Sequence, residues 1–374
     1  MTGPRIAYVL TQDRGGPVDV ARALAAELHR TGGADVRVFG PRPARGIGPD
    51  VADVWTVSGV GTKGDVGGAR ALLDRVRAWG PDLVHAHDRR AGLVLASAAL
   101  RSRRRRPVLV QTYHGVPEDV SERWFRGEPG VASPSRHTRA TLVADAVLAR
   151  VLDRTVVPAE PMRRFLHGRL RVPAARLHHV DNGLALGESQ PPEGPVRHLL
   201  VVGLLLARKG ISDLLEALAR PGVFPPDARL TIAGDGPERA AIEARIARPD
   251  LAGRVAMLGF RPDVPELMRA ADAVVVPSRM EQQPLVVIEA MAAGKPVLAT
   301  DTGDAATMLD APGASRHLAV PGDVGSLATA LRGLFDDPDP ALTGKRLAER
   351  AAERYSSAAC AEGHLRLYAA MGVR

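Results

Sequence analysis

The residue order predicts an α/β protein built as two Rossmann-like domains, each a doubly wound parallel sheet, facing a cleft. Three observations carry this expectation. Short apolar runs alternate with stretches of helical period along nearly the whole chain. The alternation stops once, at GESQPPEGP (187–195), and then restarts, and three prolines and two glycines there suit a linker. The length of 374 residues exceeds what a single hydrophobic core usually supports.

In the first half, apolar runs at 6–10, 36–39, 54–57, 83–85, 108–112 and 155–157 read as buried strands, with a shorter one near 177–180. Between the first two, Val18, Ala21, Leu24, Ala25 and Leu28 recur at helical spacing. After the linker, strands are expected at 199–202, 230–233, 255–258, 273–276 and 296–299. Helices are expected near 212–219, 237–246, 264–269 and 284–293, and the tail from 341 to 371 has a helical pattern. The expected division is a first domain over 1–186, a linker over 187–195 and a second domain over 196–355. A last helix at 356–371 is expected to pack back on the first domain.

A hydrophobic content of 45% with 25% charged residues is that of an ordinary globular chain. Cys360 is the only cysteine, which excludes an intrachain disulfide and suggests a reducing compartment. The start of the chain shows no signal-peptide pattern and no apolar stretch approaches ~20 residues, so a cytoplasmic protein is expected. The net charge of +8 suits anionic partners. Part of it sits in one block, Arg101, Arg103, Arg104, Arg105 and Arg106, in a helix-to-strand connection away from the ligand-binding edge of a parallel sheet. A solvated loop is the first reading of this block, and peripheral contact with an acidic inner membrane face is the second. Nucleic acid is not expected, because no aromatic residue is interleaved with these arginines.

Open α/β sheets bind ligands beyond the carboxyl ends of their strands, so the residues there are the candidates. Gly15-Gly16 opens a helix after the first strand, where backbone N–H groups can approach an anion. No G-x-G-x-x-G follows any strand, which argues against a dinucleotide dehydrogenase. His87 and Asp88 end the fourth run; without a third well-spaced ligand, His85 and His87 make a poor metal site. His114 follows the fifth run and can hydrogen-bond a substrate hydroxyl. Beyond the linker, Arg208-Lys209-Gly210 reads as a phosphate clamp at a helix entry. Gly234 opens a further helix-entry turn in Gly234-Asp235-Gly236-Pro237.

The most telling segment runs from Pro284 to Gly294: apolar throughout except for Glu289, with Pro284 expected at the first helical position and Gln283 a weak N-cap. A helix apolar on every side is a buried one, and a carboxylate inside it needs a partner. With Glu281 eight residues upstream and open N–H groups at Leu285 and Val286, the segment suits a diphosphate flanked by hydroxylated groups. Asp337-Pro338-Asp339 spells D-x-D, a metal-binding pattern of sugar transferases, but it lies in a proline-rich connection and reads as a turn.

Taken in order, these motifs resemble the retaining glycosyltransferases of GT-B fold, family 4. The carriers are Glu281-x7-Glu289 with its continuation to Val297, Gly203 with Lys209-Gly210, Gly234 to Pro237, Asn182-Gly183 and Thr112-x-His114-Gly115. The resemblance implies a metal-independent hexosyltransferase that uses a nucleotide sugar, a UDP- or GDP-sugar, and a sugar acceptor, with no cofactor. It implies catalytic roles for His114 and Glu281, the latter against hydroxyls of the transferred sugar, with the first domain on the acceptor side, the second on the donor side, and the acceptor loops between Tyr113 and Ser135. It implies donor contacts from Gly16, Arg208, Lys209, Gly234, Phe260, Arg261, Leu285, Val286 and Glu289, while His87 and Asp88 are assigned to the acceptor side. Three departures stand out: Leu204 replaces the usual arginine after Gly203, Gln282-Gln283-Pro284 replaces Gly-Phe-Gly, and Pro158 stands where a serine is common. A non-catalytic nucleotide-sugar binder and a GT-B-like epimerase are the alternatives.

Overall fold

The computed structural model describes residues 3–61, 65–99 and 106–373, the side chains of 98 and 99 excepted. The chain divides into two compact units. Unit 1 holds residues up to Val120, Arg126–Ala185 and Ser356–Arg374; unit 2 holds Ser121–Phe125 and Leu186–Tyr355.

Unit 1 is built on a seven-stranded sheet. Its strands are β1 (Arg5–Val9), β2 (Asp35–Gly40), β3 (Trp55–Val57), β4 (Leu83–Ala86), β5 (Val108–Thr112), β6 (Arg154–Val157) and β7 (Leu177–His179). Their order is β3-β2-β1-β4-β5-β6-β7, with every pairing parallel. The central strand shows why its residues are continuously apolar. Ile6 and Tyr8 enter one core cluster with Leu24, Leu28 and Tyr368, while Ala7 and Val9 enter another with Leu72, Val76 and Leu95. Successive strand residues point to opposite faces, and here both faces are covered by helices.

Unit 2 carries a six-stranded sheet, again parallel: β8 (His198–Val202), β9 (Arg229–Ala233), β10 (Val255–Gly259), β11 (Ala273–Val276), β12 (Val297–Thr300) and β13 (Leu318–Ala319). Its order is β10-β9-β8-β11-β12-β13. Leu199, Val201, Leu230 and Ile232 meet Ile211, Leu214 and Leu218 of the helix Ile211–Leu218 in its core. In each unit the winding direction reverses once, between β1 and β4 and between β8 and β11. These switch points are where an open α/β sheet leaves room for a ligand.

Several expectations are corrected. The helical tail breaks into Pro340–Arg354 and Ser357–Ala370, the second being the last helix expected at 356–371, because Ser356 is extended, pairs with Leu184 and caps the second helix through its hydroxyl at 3.2 Å from the Ala359 N–H. Residues 187–195 are grouped with unit 2 and not free-standing: the Gln190 N–H donates to the Ala293 carbonyl at 2.9 Å. Ser121–Phe125, in the middle of the expected acceptor loops, groups with unit 2, where Glu122 accepts the Gly303 N–H at 3.2 Å. In the basic block, Arg101, Arg103, Arg104 and Arg105 lie outside the described residues. Arg106 is held by Asp153 in a two-pronged pair at 2.6 and 2.8 Å, so it serves the fold. Among the described residues no helix is long and apolar enough to cross a membrane.

Candidate active site

In unit 2 the candidate residues gather at the carboxyl ends of the neighbouring strands β10, β9, β8 and β11. Backbone bonds zip the loops there together: Gly203 N–H to the Ala233 carbonyl (3.0 Å), Leu205 N–H to Asp235 (3.0 Å) and Gly234 N–H to Gly259 (2.8 Å). Gly234 has to be glycine, since a Cβ there would overlap the Gly203 carbonyl oxygen. Across the switch point, the Arg279 N–H donates to the Arg208 carbonyl at 2.7 Å. The Arg279 guanidinium grips Asp213 through bonds of 2.7 and 2.6 Å. Gly210 sits at φ 66°, and a Cβ on it would overlap the Pro277 carbonyl. Gly210→Ala therefore faces both a left-handed backbone and a collision, at a cost of about 1–3 kcal/mol. A lowered Tm together with lost nucleotide affinity is expected, and an unchanged Tm would mean that the loop has another route.

This tight loop delivers Lys209. Its ammonium donates to Glu281 Oε1, which also accepts the Ser278 hydroxyl at 3.0 Å. Ser278 is 1% exposed, and its own carbonyl accepts the Thr300 hydroxyl. The diphosphate cation and the sugar carboxylate expected from the sequence are thus bonded to each other. Arg208 is half-buried, with an Nε that lacks a partner among the described residues. Leu204 is exposed, as is Phe260. Arg261 is committed to Asp263 on its own turn, Nε to Oδ1 at 2.7 Å.

The helix expected to be fully buried is Leu285–Ala292, with Pro284 at the N-cap in place of Gln283 and no side chain capping it. Gly294, at φ 73°, ends it as the sequence suggested. Val287, Ile288, Ala290 and Met291 are buried, whereas Leu285, Val286 and Glu289 are only half-buried. Those three share one face, so the helix is not buried all round. An apolar helix offers its uncapped N-terminal N–H groups and its one carboxylate on a single accessible stripe. The D-x-D acids serve the fold: Asp337 accepts the Thr343 hydroxyl at 2.8 Å, and Asp339 caps Pro340–Arg354 at 2.9 Å.

Unit 1 presents a second set of residues at its own switch point. Gly15 (φ 94°) precedes the helix Gly16–Thr31, which no side chain caps. Asp88, expected to face an acceptor, is occupied within the fold. It takes the Thr11 N–H (2.5 Å), the Thr11 hydroxyl (2.6 Å) and the Ala91 N–H (2.8 Å), joining the loops after β1 and β4. His87 is fully buried, neither ring nitrogen having a partner among the described residues, so it lines the interior and not an open pocket. It stacks on His85 at 4.4 Å and meets Tyr8 edge-on at 4.8 Å. His85 is bonded to the hydroxyls of Tyr368 (2.6 Å) and Thr112 (2.8 Å), which leaves it no lone pair for a metal. His114 lies 6.1 Å from His87, its Nε2 unpartnered among the described residues. Burial and then His364 push its pKa down to about 3, so the ring is a neutral hydrogen-bonding group at physiological pH.

Ser278 and the Arg279–Asp213 brace were not singled out from the sequence. The signal was available, since Ser278 lies two residues beyond the apolar run of β11, but a small neutral residue carries no charge pattern.

Two wound parallel-sheet units with these switch-point loops define the GT-B architecture. The family models agree, "Glycosyltransferase Family 4" matching residues 14–188 and "Glycosyl transferases group 1" matching 196–337. The chain belongs to glycosyltransferase family 4. It is 30% identical over 288 residues to the glycogen synthase of Mycobacterium tuberculosis, covering 75% of this chain and 66% of that protein. It is 32% identical over 232 residues to the 2-deoxystreptamine glucosyltransferase of Streptomyces kanamyceticus, covering 60% of this chain and 56% of that one. The chain thus spans two thirds or less of the length of these relatives. In fold it is similar to Anabaena HepE, solved in complex with UDP and glucose, with a TM-score of 0.76 at 20% identity over 98% of this chain and all of the other.

Proposed function

We propose that the protein transfers a hexose from a nucleoside diphosphate sugar to a hydroxylated acceptor, with retention at the anomeric carbon and without a metal. The supporting observation is the accessible stripe of the helix Leu285–Ala292 beside Lys209. Open N–H groups at Leu285 and Val286 and an ammonium suit a diphosphate, and Glu289, one turn further on, suits the ribose hydroxyls. Departure of the diphosphate builds negative charge where these fixed donors converge, which is electrostatic preorganisation. Glu281 contacts hydroxyls of the transferred sugar. Neutral His114 hydrogen-bonds a substrate hydroxyl, and Phe260 lies toward the base. Gly16 and Gly234 let backbone approach the ligand, and Arg208 supplies the charge that Leu204 lacks.

UDP-glucose is the first donor to try, because HepE was solved with UDP and glucose and the S. kanamyceticus relative is a glucosyltransferase. In a thermal-shift panel of nucleotide sugars, at least one UDP- or GDP-sugar should raise Tm. Transfer followed by NMR should give an α-linked product from an α-linked donor, undiminished by EDTA. A β-linked product would overturn retention, loss of activity in EDTA would overturn metal independence, and no Tm response would overturn the donor reading. One observation favours the alternative of a non-catalytic binder: Leu204 stands exposed where the family carries arginine. Donor binding without turnover across an acceptor panel would decide for it.

A further inference from the structure

Lys209 and Glu281 are assigned to different halves of one donor, yet they are bonded to each other. We propose that this ion pair is exchangeable: the diphosphate of an arriving donor takes Lys209, and Ser278 holds the released Glu281 carboxylate in place for the sugar. The inference rests on the donor reading above and adds a coupling between recognition of the diphosphate and recognition of the sugar.

Both bonds to Glu281 converge on Oε1, one from Lys209 and one from the Ser278 hydroxyl. An ammonium is a mobile point charge on a flexible stem, so it can turn from carboxylate to phosphate without backbone movement. A diphosphate carries more negative charge than a carboxylate, and in a half-buried setting, with the side chains of Lys209 and Glu281 23% and 11% exposed, it competes strongly for the cation. Ser278 does not leave with Lys209. It is buried, and its backbone is pinned by Thr300, so its hydroxyl keeps aiming the carboxylate after the exchange. The loop bearing Lys209 is held by Gly210 against Pro277 and by Arg208 against Arg279, which lets the pair open while its supports stay fixed.

The sign of the coupling follows. Until a sugar hydroxyl engages it, the Glu281 charge opposes a bare nucleoside diphosphate, both by competing for Lys209 and by repulsion. Glu281→Gln keeps the shape and removes the charge, so UDP should bind about tenfold more tightly than to the wild type in calorimetry. Transfer from the UDP-sugar should fall at the same time. Glu281→Ala, which also removes the charge, should tighten UDP likewise and serves if the glutamine variant folds poorly. Ser278 is a positioning residue: Ser278→Ala should leave UDP affinity unchanged while kcat falls about tenfold at constant KM, a split that general loosening of the fold would not produce. Unchanged or weakened UDP binding in both Glu281 variants overturns the exchange and leaves the donor reading standing. Wild-type affinity retained in Lys209→Met overturns the donor reading and the exchange with it; where the wild type binds no UDP the same variants are read with GDP, and binding of neither nucleotide overturns both.

Discussion

Acidification below pH 6.5 is expected to unfold unit 1 steeply, before most carboxylates titrate. Its interior holds His85, His87 and His364, exposed by 0, 0 and 3%. They pack around Tyr8 and Tyr368, with Cys360 and His114 also facing the cluster. Burial is the first cause that drives His85 and His87 well below the usual 6.5, and the neighbouring histidines are the next. His364 is lowered to about 4, chiefly by burial, although a bond to the Cys360 carbonyl opposes it.

The folded-state pKa values therefore lie below the unfolded one. The stability these groups protect is complete above pH 6.5 and is lost as pH falls toward 4, because the unfolded chain binds protons that the fold refuses. Each such histidine contributes a slope of about 1.4 kcal/mol per pH unit, so these three together with His114, lowered to about 3, approach about 5 kcal/mol per unit. Against a typical stability of about 5–15 kcal/mol, little of unit 1 should survive near pH 4.5. Urea titrations followed by tryptophan fluorescence between pH 7 and 4.5 would measure this. His87→Leu should flatten the slope by about one quarter. A midpoint unchanged from pH 6.5 to 5 would show that the cluster accepts protons in place.

The second large effect is expected at Lys209. Lys209→Met should lower kcat/KM by about 10²–10³, the usual cost of removing one preorganised charge from a developing anion. It should also lower Tm, because Glu281 is left half-buried without its cation. Combining it with Glu281→Gln separates the two losses: the double variant should regain the Tm and none of the transfer. If Tm and activity return together, Lys209 acts through the fold and not on the diphosphate.

Much of this architecture can be read in the residues because its signals are local. β1 reads as buried on both sides because Ile6, Ala7, Tyr8 and Val9 are continuously apolar, and the structure sends them alternately into two cores. The helix expected at 284–293 is found as Leu285–Ala292, with Gly294 at its end. The accessibility of Glu289 was not legible in the same way. Composition shows that a helix is apolar, not which of its faces a neighbour covers. Asp88 shows the same gap: its position at a strand end is a property of sequence, and its three internal donors follow from what stands beside it.

Hydrophobic period and turn glycines thus define the units, their strands and the edge where a ligand belongs, since both act over a few neighbouring residues. Partnership across the chain belongs to the folded arrangement. Lys209 finds Glu281 because the sheet puts β8 beside β11, and His85 finds Tyr368 because the last helix packs within unit 1. Strand order brings together side chains far apart in the chain, and no pattern of local spacing encodes that order.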